Sequence, residues 1–282
     1  MILVDGDPAG TVPATDSSVL RGDGVFEALR TFDGVPFALE AHLDRLDASA
    51  ALMELPPARR ELITAWVSRV ALADGPGLVR IVLTRGDATT PSRTIVLAQV
   101  VPSTPVPFTI TPVAAPWHPA GRPWRLAGAK TLSYAPNLDA TRQAQALGYS
   151  DALLTDDHGI VLEGPTFSVA WVRDGVLETP GLDLGILASI TRRQVLDLAD
   201  DLGVETREGR FPIARLDTAT DLMAISTVKQ VTPVVACGSL QPPSTGMAER
   251  LRRAFLAGID RWAGWVSETV ADEAGDVLPD RE

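Results

Sequence analysis

Residues 21–39 read Arg-Gly-Asp-Gly-Val-Phe-Glu-Ala-Leu-Arg-Thr-Phe-Asp-Gly-Val-Pro-Phe-Ala-Leu, and they set the architecture of the first half of the chain. Asp33-Gly34 lies between two apolar runs, which is a strong signal for a hairpin of strands at 25–32 and 35–39. Directly after it, apolar residues recur at spacings of three and four, which predicts a helix over 40–53. A hairpin followed by an amphipathic helix indicates a mixed α/β unit.

The remainder of the chain alternates between helix-like and strand-like segments. Helices are predicted where apolar residues recur with the helical period, over 59–73, 137–147, 190–202 and 247–263. Strands are predicted in short apolar or β-branched runs, over 1–4, 78–84, 94–101, 108–113, 151–155, 160–163, 169–173, 176–179, 221–226 and 231–237. This alternation predicts an α/β protein with mixed sheets of the α+β type.

The length of 282 residues exceeds one typical core and suits two domains. Seven prolines and two tryptophans within 102–125 indicate an ordered connection between them. We therefore predict a smaller N-terminal α/β domain over 1–114, an interdomain loop over 115–125, a larger C-terminal domain over 126–265 and an acidic tail over 266–282.

The overall charge and the lone cysteine exclude several classes of protein. The net charge of −11 argues against binding to nucleic acid or to an anionic membrane surface, because both would repel the chain. No signal peptide and no apolar run of roughly 20 residues is visible, so we expect a cytoplasmic protein. Cys237 has apolar neighbours, which favours a core position over a nucleophile. No metal site is predicted.

Of the 25 lysine and arginine residues, only Lys130 and Lys229 are lysines. A lysine retained in an arginine-rich chain can do what arginine cannot, because its amine can lose a proton when desolvated and form a Schiff base with an aldehyde. Lys130 lies in the apolar stretch Leu-Ala-Gly-Ala-Lys-Thr-Leu, whereas Lys229 lies in the polar stretch Ser-Thr-Val-Lys-Gln. This contrast favours Lys130 as a catalytic residue. Chance survival of two lysines is the alternative.

Two segments of the second half carry polar groups where an apolar element ends or begins. Glu163 ends an apolar strand and precedes Gly-Pro, where it is either a surface carboxylate or a functional one. Ser189, Ile190 and Thr191 open a long helix. The free backbone N–H groups and hydroxyls of such a helix start either cap the helix or bind an anion such as phosphate.

Further hydroxyl and cationic groups complete a set that suits one cofactor. Ser226 and Thr227 end another apolar strand, and Arg45 lies on an otherwise apolar helix, so each is either a surface group or a phosphate ligand. An aldehyde needs a lysine, a protonated pyridine nitrogen needs a carboxylate, and a phosphate needs arginine, hydroxyls and a helix start. Together with Lys130 and Glu163, these segments predict pyridoxal 5′-phosphate (PLP), an electron sink for carbanion chemistry at an amino acid Cα.

Five motifs carry a resemblance to a known family. They are Arg-Gly-Asp-Gly-Val-Phe-Glu-Ala-Leu-Arg at 21–30, Ala-His-Leu-Asp-Arg-Leu at 41–46, Ala-Lys-Thr-Leu at 129–132, Leu-Glu-Gly-Pro-Thr at 162–166 and Ile-Thr-Arg at 190–192. In this order and spacing, over about residues 1–260, the chain resembles the class IV aminotransferases, the fold-type IV PLP enzymes. Within that family it most resembles the 4-amino-4-deoxychorismate lyases and the D-amino acid aminotransferases.

The resemblance implies two α/β domains with PLP at the domain interface, normally in a homodimer. It implies that Lys130 is the Schiff-base lysine and that Glu163 pairs with the pyridine nitrogen. The phosphate would be held by a larger set, Arg45, Ser189, Ile190, Thr191, Ser226 and Thr227. Arg30 and Arg80 are candidates for binding the substrate carboxylates.

Four positions depart from the family patterns. Ser168 stands where the family usually has Asn, and Leu78 stands where branched-chain enzymes have Tyr. Asp87 stands where D-amino acid enzymes have His, and Tyr134 follows the lysine by four positions where branched-chain enzymes have Tyr at five. The sequence leaves open whether Ser168 and Tyr134 contact the cofactor.

The leading hypothesis is a lyase that converts 4-amino-4-deoxychorismate to 4-aminobenzoate and pyruvate. The alternative is an aminotransferase, acting on D-amino acids, branched-chain substrates or amines, that moves an amino group to a 2-keto acid. Both reactions use the same residues, so the sequence separates them poorly. A phosphate-binding protein without activity and a Schiff-base aldolase without PLP are the hypotheses from other classes.

Overall fold

The computed structural model describes residues 1–73 and 77–259. Within them the chain forms two compact units. Unit 1 contains Met1–Pro102 and Ala129–Ser133, and unit 2 contains Ser103–Gly128 and Tyr134–Gly258. Each unit is built around one β-sheet with helices, which confirms the predicted α/β class with mixed sheets.

Unit 1 holds a five-stranded antiparallel sheet in the order β1-β5-β4-β2-β3. Its strands are β1 (Ile2–Val4), β2 (Gly24–Phe32), β3 (Val35–Pro36), β4 (Leu78–Thr84) and β5 (Thr94–Gln99). Its helices are α1 (Ser17–Arg21), α2 (Leu39–Leu52) and α3 (Arg60–Ala73).

Strand β2 gives the two faces of this sheet different characters. Side chains alternate along a strand, so Val25 and Leu29 share one face, where both are fully buried in a core with Leu43 of α2. Phe26 and Arg30 lie on the opposite face by the same alternation. The helix-covered face thus supplies the core of unit 1, and the other face carries polar groups of the predicted site.

Unit 2 holds a seven-stranded mixed sheet in the order β10-β9-β8-β11-β12-β6-β7. Its strands are β6 (Phe108–Ala114), β7 (Asp151–Thr155), β8 (Ser168–Arg173), β9 (Val176–Pro180), β10 (Thr206–Gly209), β11 (Asp221–Ser226) and β12 (Gln230–Cys237). Its helices are α4 (Ala135–Ala146), α5 (Ile190–Asp201) and α6 (Met247–Ala257). The pairs β10–β9, β12–β6 and β6–β7 are parallel, and the others are antiparallel.

The sequence predicted several elements with the wrong extent. The strand expected at 35–39 stops at Pro36, because Ala38 adopts a left-handed conformation (φ 52°, ψ 38°) and α2 begins at the next residue. The segment expected as a strand at 160–163 makes only isolated β-bridges, such as Ile160 with Pro212. Helix α1 and strand β10 were not predicted. The expected end of the last helix at 263 lies outside the described residues.

The compact units divide the chain at places other than the predicted domain boundaries. Strand β6, expected in the first domain, pairs with β7 and β12 and therefore belongs to unit 2. Residues 129–133, expected in the second domain, belong to unit 1 because they pair with the start of β2. The predicted acidic tail at 266–282 lies outside the described residues.

Candidate active site

The backbone around Lys130 is fixed to β2 and α2. The carbonyl oxygen of Lys130 accepts a hydrogen bond from the N–H of Phe26 (3.0 Å), and the N–H of Leu132 donates to the carbonyl of Gly24 (2.9 Å). The N–H of Lys130 donates to Ser49 Oγ at 3.1 Å. Lys130 therefore stands on an irregular segment whose backbone is held like a short added strand.

Two cationic side chains contact the ring of Phe26. Lys130 Nζ lies 4.6 Å from the ring centroid, and the guanidinium carbon of Arg80 lies 4.8 Å from it. Such contacts are attractive because the face of an aromatic ring carries negative electrostatic potential. Arg80 Nε also donates to Gln99 Oε1 at 2.9 Å. The structure thus brings the predicted catalytic lysine and one predicted substrate arginine to the same phenylalanine.

Arg30 lies on the same face of the sheet as Arg80. Arg80 is paired with Ala28 across β2 and β4, and Arg30 is two residues further along β2. The guanidinium carbon of Arg30 lies 5.1 Å from the Phe32 ring centroid, and its buried Nε has no hydrogen-bond partner among the described residues. Burial lowers the pKa of Arg30 from its ordinary value. An anionic ligand that accepts from Nε would remove the cost of this unsatisfied donor.

Arg45 pairs with a carboxylate that the sequence reasoning did not single out. Its Nε and Nη2 donate to the two carboxylate oxygens of Glu27, each at 2.7 Å, and His42 Nδ1 lies 2.7 Å from the same carboxylate. Glu27 and His42 are fully buried. Burial alone would raise the pKa of Glu27, but the charge and hydrogen bonds of Arg45, followed by those of His42, hold it well below its usual range.

The signal for these two residues was present in the sequence. Glu27 is a carboxylate within an apolar strand, and His42 stands three positions before Arg45, on the same face of one helix. Burial lowers the pKa of His42, against the opposing effect of Glu27, so the imidazole is neutral and donates from Nδ1 to the carboxylate. The arrangement fixes the guanidinium of Arg45 in a defined orientation.

In unit 2, Glu163 is held by backbone contacts and by a histidine. Its backbone is bound to β7, because the N–H of Leu154 donates to the carbonyl of Glu163 at 2.8 Å. The N–H of Leu187 lies 3.2 and 3.4 Å from the two carboxylate oxygens, and His118 Nε2 lies 3.6 Å from Oε1. Its side chain is 15% exposed, which is low for a surface carboxylate.

The residue after Glu163 is Gly164, and the turn that it begins leaves no space for a side chain at this position. A Cβ atom at this position would lie 2.2 Å from the ring of Phe167, which packs over the glycine. The N–H of Gly164 donates to the carbonyl of Phe167 at 2.7 Å and closes the turn. The glycine therefore fixes the chain direction directly after the carboxylate.

The start of α5 and the end of β11 meet through two hydroxyl groups. Thr191 Oγ1 lies 3.4 Å from Thr227 Oγ1, and Thr191 is fully buried. Ser189 is the N-cap of α5, and its Oγ accepts from the N–H of Arg192 at 3.2 Å. Ser226 Oγ accepts from the N–H of Lys229 at 3.0 Å. Two of the four predicted hydroxyls thus stand together, while Ser189 caps α5 and Ser226 accepts within the turn that follows β11.

Ile190 is the first residue of α5, and the two positions that the sequence left open lie in unit 2. Ser168 begins β8 and is buried, and its Oγ has no hydrogen-bond partner among the described residues. Tyr134 immediately precedes α4 and is half-buried. Contacts of Ser168 and Tyr134 with a cofactor stay predictions.

Lys229 and Cys237 are both held in the interior of unit 2, Lys229 by polar contacts and Cys237 by burial in the core. Lys229 Nζ lies 3.1 Å from Thr166 Oγ1 and 3.8 Å from Asp151 Oδ2, and burial lowers its pKa despite the opposing effect of Asp151. Burial raises the pKa of the Cys237 thiol to about 12, which keeps it protonated and confirms its expected core position. Among residues 1–73 and 77–259, no group of three or more His, Cys, Asp or Glu could hold a metal ion, and no helix is long and apolar enough to cross a membrane.

Comparison with known proteins identifies the family. The family model for amino-transferase class IV matches residues 24–237, a span that includes Glu27, Lys130, Glu163 and both hydroxyl loops. The chain belongs to the class IV aminotransferases. The predicted family is therefore confirmed.

Relatives carry both of the activities that the sequence left open. A putative branched-chain-amino-acid aminotransferase of Methanocaldococcus jannaschii is 31% identical over 242 residues, covering 79% of this chain and 81% of the relative. A bifunctional aminodeoxychorismate lyase / D-amino acid transaminase of Mycobacterium tuberculosis is 31% identical over 276 residues, covering 88% and 92%. Relatives with similar sequences thus carry the names of different activities.

A solved structure supports the fold and the cofactor. The PLP-bound form of a hypothetical aminotransferase from Mycobacterium tuberculosis matches with a TM-score of 0.83 and 29% identity, covering 92% of this chain and 98% of the other. This chain is a PLP-dependent enzyme with the fold of type IV transaminases.

The residues present fit PLP by the chemistry of their donor groups. Unit 1 offers a primary amine on a fixed backbone and an arginine oriented by Glu27. Unit 2 offers a carboxylate oriented by a backbone N–H, together with a helix start beside two hydroxyls. These are the groups that an aldehyde, a pyridine nitrogen and a phosphate require.

Proposed function

We propose that this enzyme is a lyase that converts 4-amino-4-deoxychorismate to 4-aminobenzoate and pyruvate. The observation that carries the proposal is that Arg30 and Arg80 share one sheet face, where Arg80 contacts the Phe26 ring that Lys130 also contacts. The substrate has two carboxylates, so two guanidinium groups on one sheet face suit it. The 31% identity to a bifunctional aminodeoxychorismate lyase / D-amino acid transaminase over 276 residues also supports the proposal.

PLP, when bound, supplies an electron sink for a carbanion at the substrate Cα. We propose that Lys130 attaches the cofactor and that its amine, once the substrate amine replaces it, takes the proton from Cα at Nζ. The same Nζ then returns this proton to the leaving pyruvate as the ring becomes aromatic. The backbone hydrogen bonds to Phe26 and Ser49 keep the lysine in position during both transfers.

Glu163 is proposed to hold the pyridine nitrogen in its protonated form. A carboxylate beside a ring nitrogen favours the protonated state through charge attraction. The Leu187 N–H donates to the carboxylate and so limits its rotation. The position of the cofactor relative to the two units stays a prediction of the family resemblance.

The phosphate is proposed to bind the start of α5 and the neighbouring hydroxyls. The free N–H groups at the first turn favour an anion, and Thr191 and Thr227 place two hydroxyls side by side. The remaining proposed phosphate ligands are Arg45, Ser189, Ile190 and Ser226. Arg45 would act as a guanidinium whose direction is set by Glu27.

The second candidate function is an aminotransferase. Its support is the similarity to a putative branched-chain-amino-acid aminotransferase over most of both chains. The same lysine would take and return the Cα proton at Nζ, and PLP, when bound, would supply the carrier of the amino group between the amino acid and a 2-keto acid. Arg30 or Arg80 would then bind the carboxylate of the amino acid or of the keto acid.

A single-turnover assay separates the two functions. The lyase releases pyruvate and 4-aminobenzoate from 4-amino-4-deoxychorismate when no 2-keto acid is present, and Lys130→Ala does not. The aminotransferase releases no pyruvate from this substrate; an amino acid removes the visible band of the bound cofactor, and a 2-keto acid restores it. An enzyme with the second behaviour would contradict the lyase proposal.

We also propose that the enzyme is a homodimer, as the family resemblance implies. Multi-angle light scattering of the purified enzyme with PLP should give about twice the mass of the chain. A monomeric mass at the concentration of the activity assay would contradict this proposal.

A further inference from the structure

His118 lies in the proline-rich segment of unit 2 and plays no part in the proposed chemistry. Its side chain is 9% exposed. Its Nδ1 accepts a hydrogen bond from the N–H of Ala120 at 3.1 Å. An imidazole nitrogen that accepts a hydrogen bond carries no proton, so the proton of the neutral ring stands on Nε2. The turn at Ala120 therefore selects one tautomer of His118.

The protonated nitrogen, Nε2, faces Glu163. It lies 3.6 Å from Oε1 of the carboxylate, slightly beyond hydrogen-bond length. Contacts of this kind in cofactor-free active sites are often long and shorten when the ligand is bound. The other donor to the carboxylate is the Leu187 N–H, at 3.2 and 3.4 Å. Glu163 is thus approached by one backbone donor and one side-chain donor.

The backbone that carries His118 is held independently of Glu163. Arg122 Nη2 donates to the carbonyl of His118, and Arg122 Nε donates to the carbonyl of Pro119, both at 3.1 Å. The N–H of His118 donates to the carbonyl of Ala115 at 2.9 Å. These contacts hold the backbone of the loop, and the hydrogen bond from the Ala120 N–H orients the imidazole on it.

We propose that His118 is a positioning residue for Glu163. A neutral N–H donor stabilises the ionised carboxylate and limits its rotation, yet adds no positive charge that would compete with a protonated ring nitrogen. The tautomer fixed by Ala120 supplies this donor. The inference rests on the proposed pairing of Glu163 with the pyridine nitrogen, and it adds a residue that determines how well this pairing is made.

Two substitutions separate this role from simple anchoring of the loop. Asn at position 118 can replace Nδ1 as the acceptor for Ala120 but cannot reach Glu163, whereas Gln can place an N–H near the position of Nε2 but loses the acceptor. A positioning role predicts that His118→Gln keeps the function better than His118→Asn. A role confined to the loop predicts the reverse order.

The measurement is the dissociation constant of PLP, followed through the visible absorbance of the lysine-bound cofactor. We expect His118→Asn to bind PLP about tenfold more weakly, which corresponds to the loss of one hydrogen bond to a charged group. His118→Gln should recover most of this loss. Circular dichroism and the melting temperature of both cofactor-free variants verify that they fold. Equal dissociation constants for wild type and His118→Asn, or a weaker His118→Gln, would overturn the inference.

The Glu163→Gln background is the matched control. A neutral amide no longer favours a protonated ring nitrogen, so His118→Asn should cost no further PLP affinity there. An undiminished tenfold effect in this background would overturn the inference. Nitrogen-15 NMR of the cofactor-free enzyme checks the tautomer directly, since Nδ1 should show the shift of an unprotonated nitrogen and Nε2 that of a protonated one.

Failure of the proposed function has a different signature from failure of this inference. If wild type gives no visible band with PLP, or if the band survives in Lys130→Ala, the proposed cofactor chemistry is wrong and the role of His118 falls with it. If the band forms, disappears in Lys130→Ala and is indifferent to both His118 substitutions, only the role of His118 is wrong.

Discussion

The two lysines of the chain both contact phenylalanine rings, yet their surroundings differ in kind. Lys229 Nζ lies 5.3 and 5.7 Å from the ring centroids of Phe167 and Phe108. It also lies 3.8 Å from Oδ2 of the Asp151 carboxylate. Lys130 Nζ lies 4.6 Å from the ring of Phe26, on a segment fixed by backbone hydrogen bonds. The carboxylate nearest in sequence to this ring, Glu27, is bound to Arg45 instead.

This difference indicates what makes a lysine chemically useful. An aromatic face stabilises the cationic form but accepts no proton, whereas a neighbouring carboxylate ties the ammonium group to one partner. Scarcity of lysine nominates both residues equally, and the backbone that carries each of them differs. Lys130 stands on the segment paired with β2, whereas Lys229 stands in the turn between β11 and β12. Four substitutions test the contrast, in order of decreasing expected effect.

The largest effect is expected from Lys130→Ala. Removing the amine that moves the Cα proton should reduce kcat by about 10²–10⁴-fold, the range for a positioned acid–base group, and should abolish the visible band of the bound cofactor. Lys229→Met is the matched control and should keep the band. Steady-state kinetics and absorbance spectra check both variants. A larger loss of kcat in Lys229→Met than in Lys130→Ala would reverse the assignment of the two lysines.

Glu27→Gln tests the ion pair of the Lys130 region. The substitution removes the charge of the carboxylate that accepts from Arg45 and lies beside His42, and we expect the unfolding free energy to fall by about 3 kcal/mol, as for other broken buried pairs. Urea denaturation of the cofactor-free enzyme measures it. A loss below about 1 kcal/mol would show that Arg45 is hydrated rather than dependent on Glu27.

The pH dependence of this pair has a definite sign. The pKa of Glu27 is lower in the folded protein than its ordinary value of 4.5, so its stabilisation is complete above pH 4.5 and is lost as the pH falls below it. Glu27→Gln should therefore show a flatter decrease in stability below pH 4.5 than wild type. Parallel slopes in the two proteins would place the acid sensitivity in other carboxylates.

Lys229→Met tests the ion pair of the second lysine. We expect the unfolding free energy to fall by about 2 kcal/mol, less than the roughly 3–5 kcal/mol of a fully buried pair. The reason is that Asp151 keeps two other donors, Thr141 Oγ1 at 2.8 Å and the N–H of Ala152 at 2.9 Å. The double variant with Asp151→Asn should recover part of the loss. A single variant as stable as wild type would mean that the pair contributes only what exposed pairs do.

The sequence predicted features that depend on local order and missed those that depend on tertiary partners. The start of the helix at Thr191 follows from a pattern within a few residues of it, whereas the strand expected at 160–163 forms only isolated β-bridges. The backbone hydrogen bonds between the Lys130 segment and β2 could not be predicted, because they join residues about 100 positions apart. The same holds for His118, because only the tertiary structure of unit 2 brings it close to Glu163.

The partners of Arg45 show the same limit at shorter range. The spacing of His42 and Arg45 places them on one side of α2, but the sequence does not reveal that β2 turns Glu27 towards that side. A carboxylate in an apolar strand is unexpected unless it has a buried cation, so Glu27 was a detectable signal. Predicted strand extents failed where one residue, Ala38, adopts a conformation that most residues avoid.

The smallest effect is expected at Ser168, a buried polar group without a hydrogen-bond partner among the described residues. This is the opposite case to Lys229, whose ammonium group has partners. Its Oγ is buried and makes no hydrogen bond among the described residues. An unsatisfied hydroxyl costs about 1–3 kcal/mol, so Ser168→Ala should raise the unfolding free energy of the cofactor-free enzyme by about 1 kcal/mol. If Ser168 contacts the cofactor, the same variant should also bind PLP more weakly. A variant that is more stable without PLP and unchanged in PLP affinity would assign the hydroxyl no role in binding. A variant that is less stable without PLP would mean that the hydroxyl is hydrated.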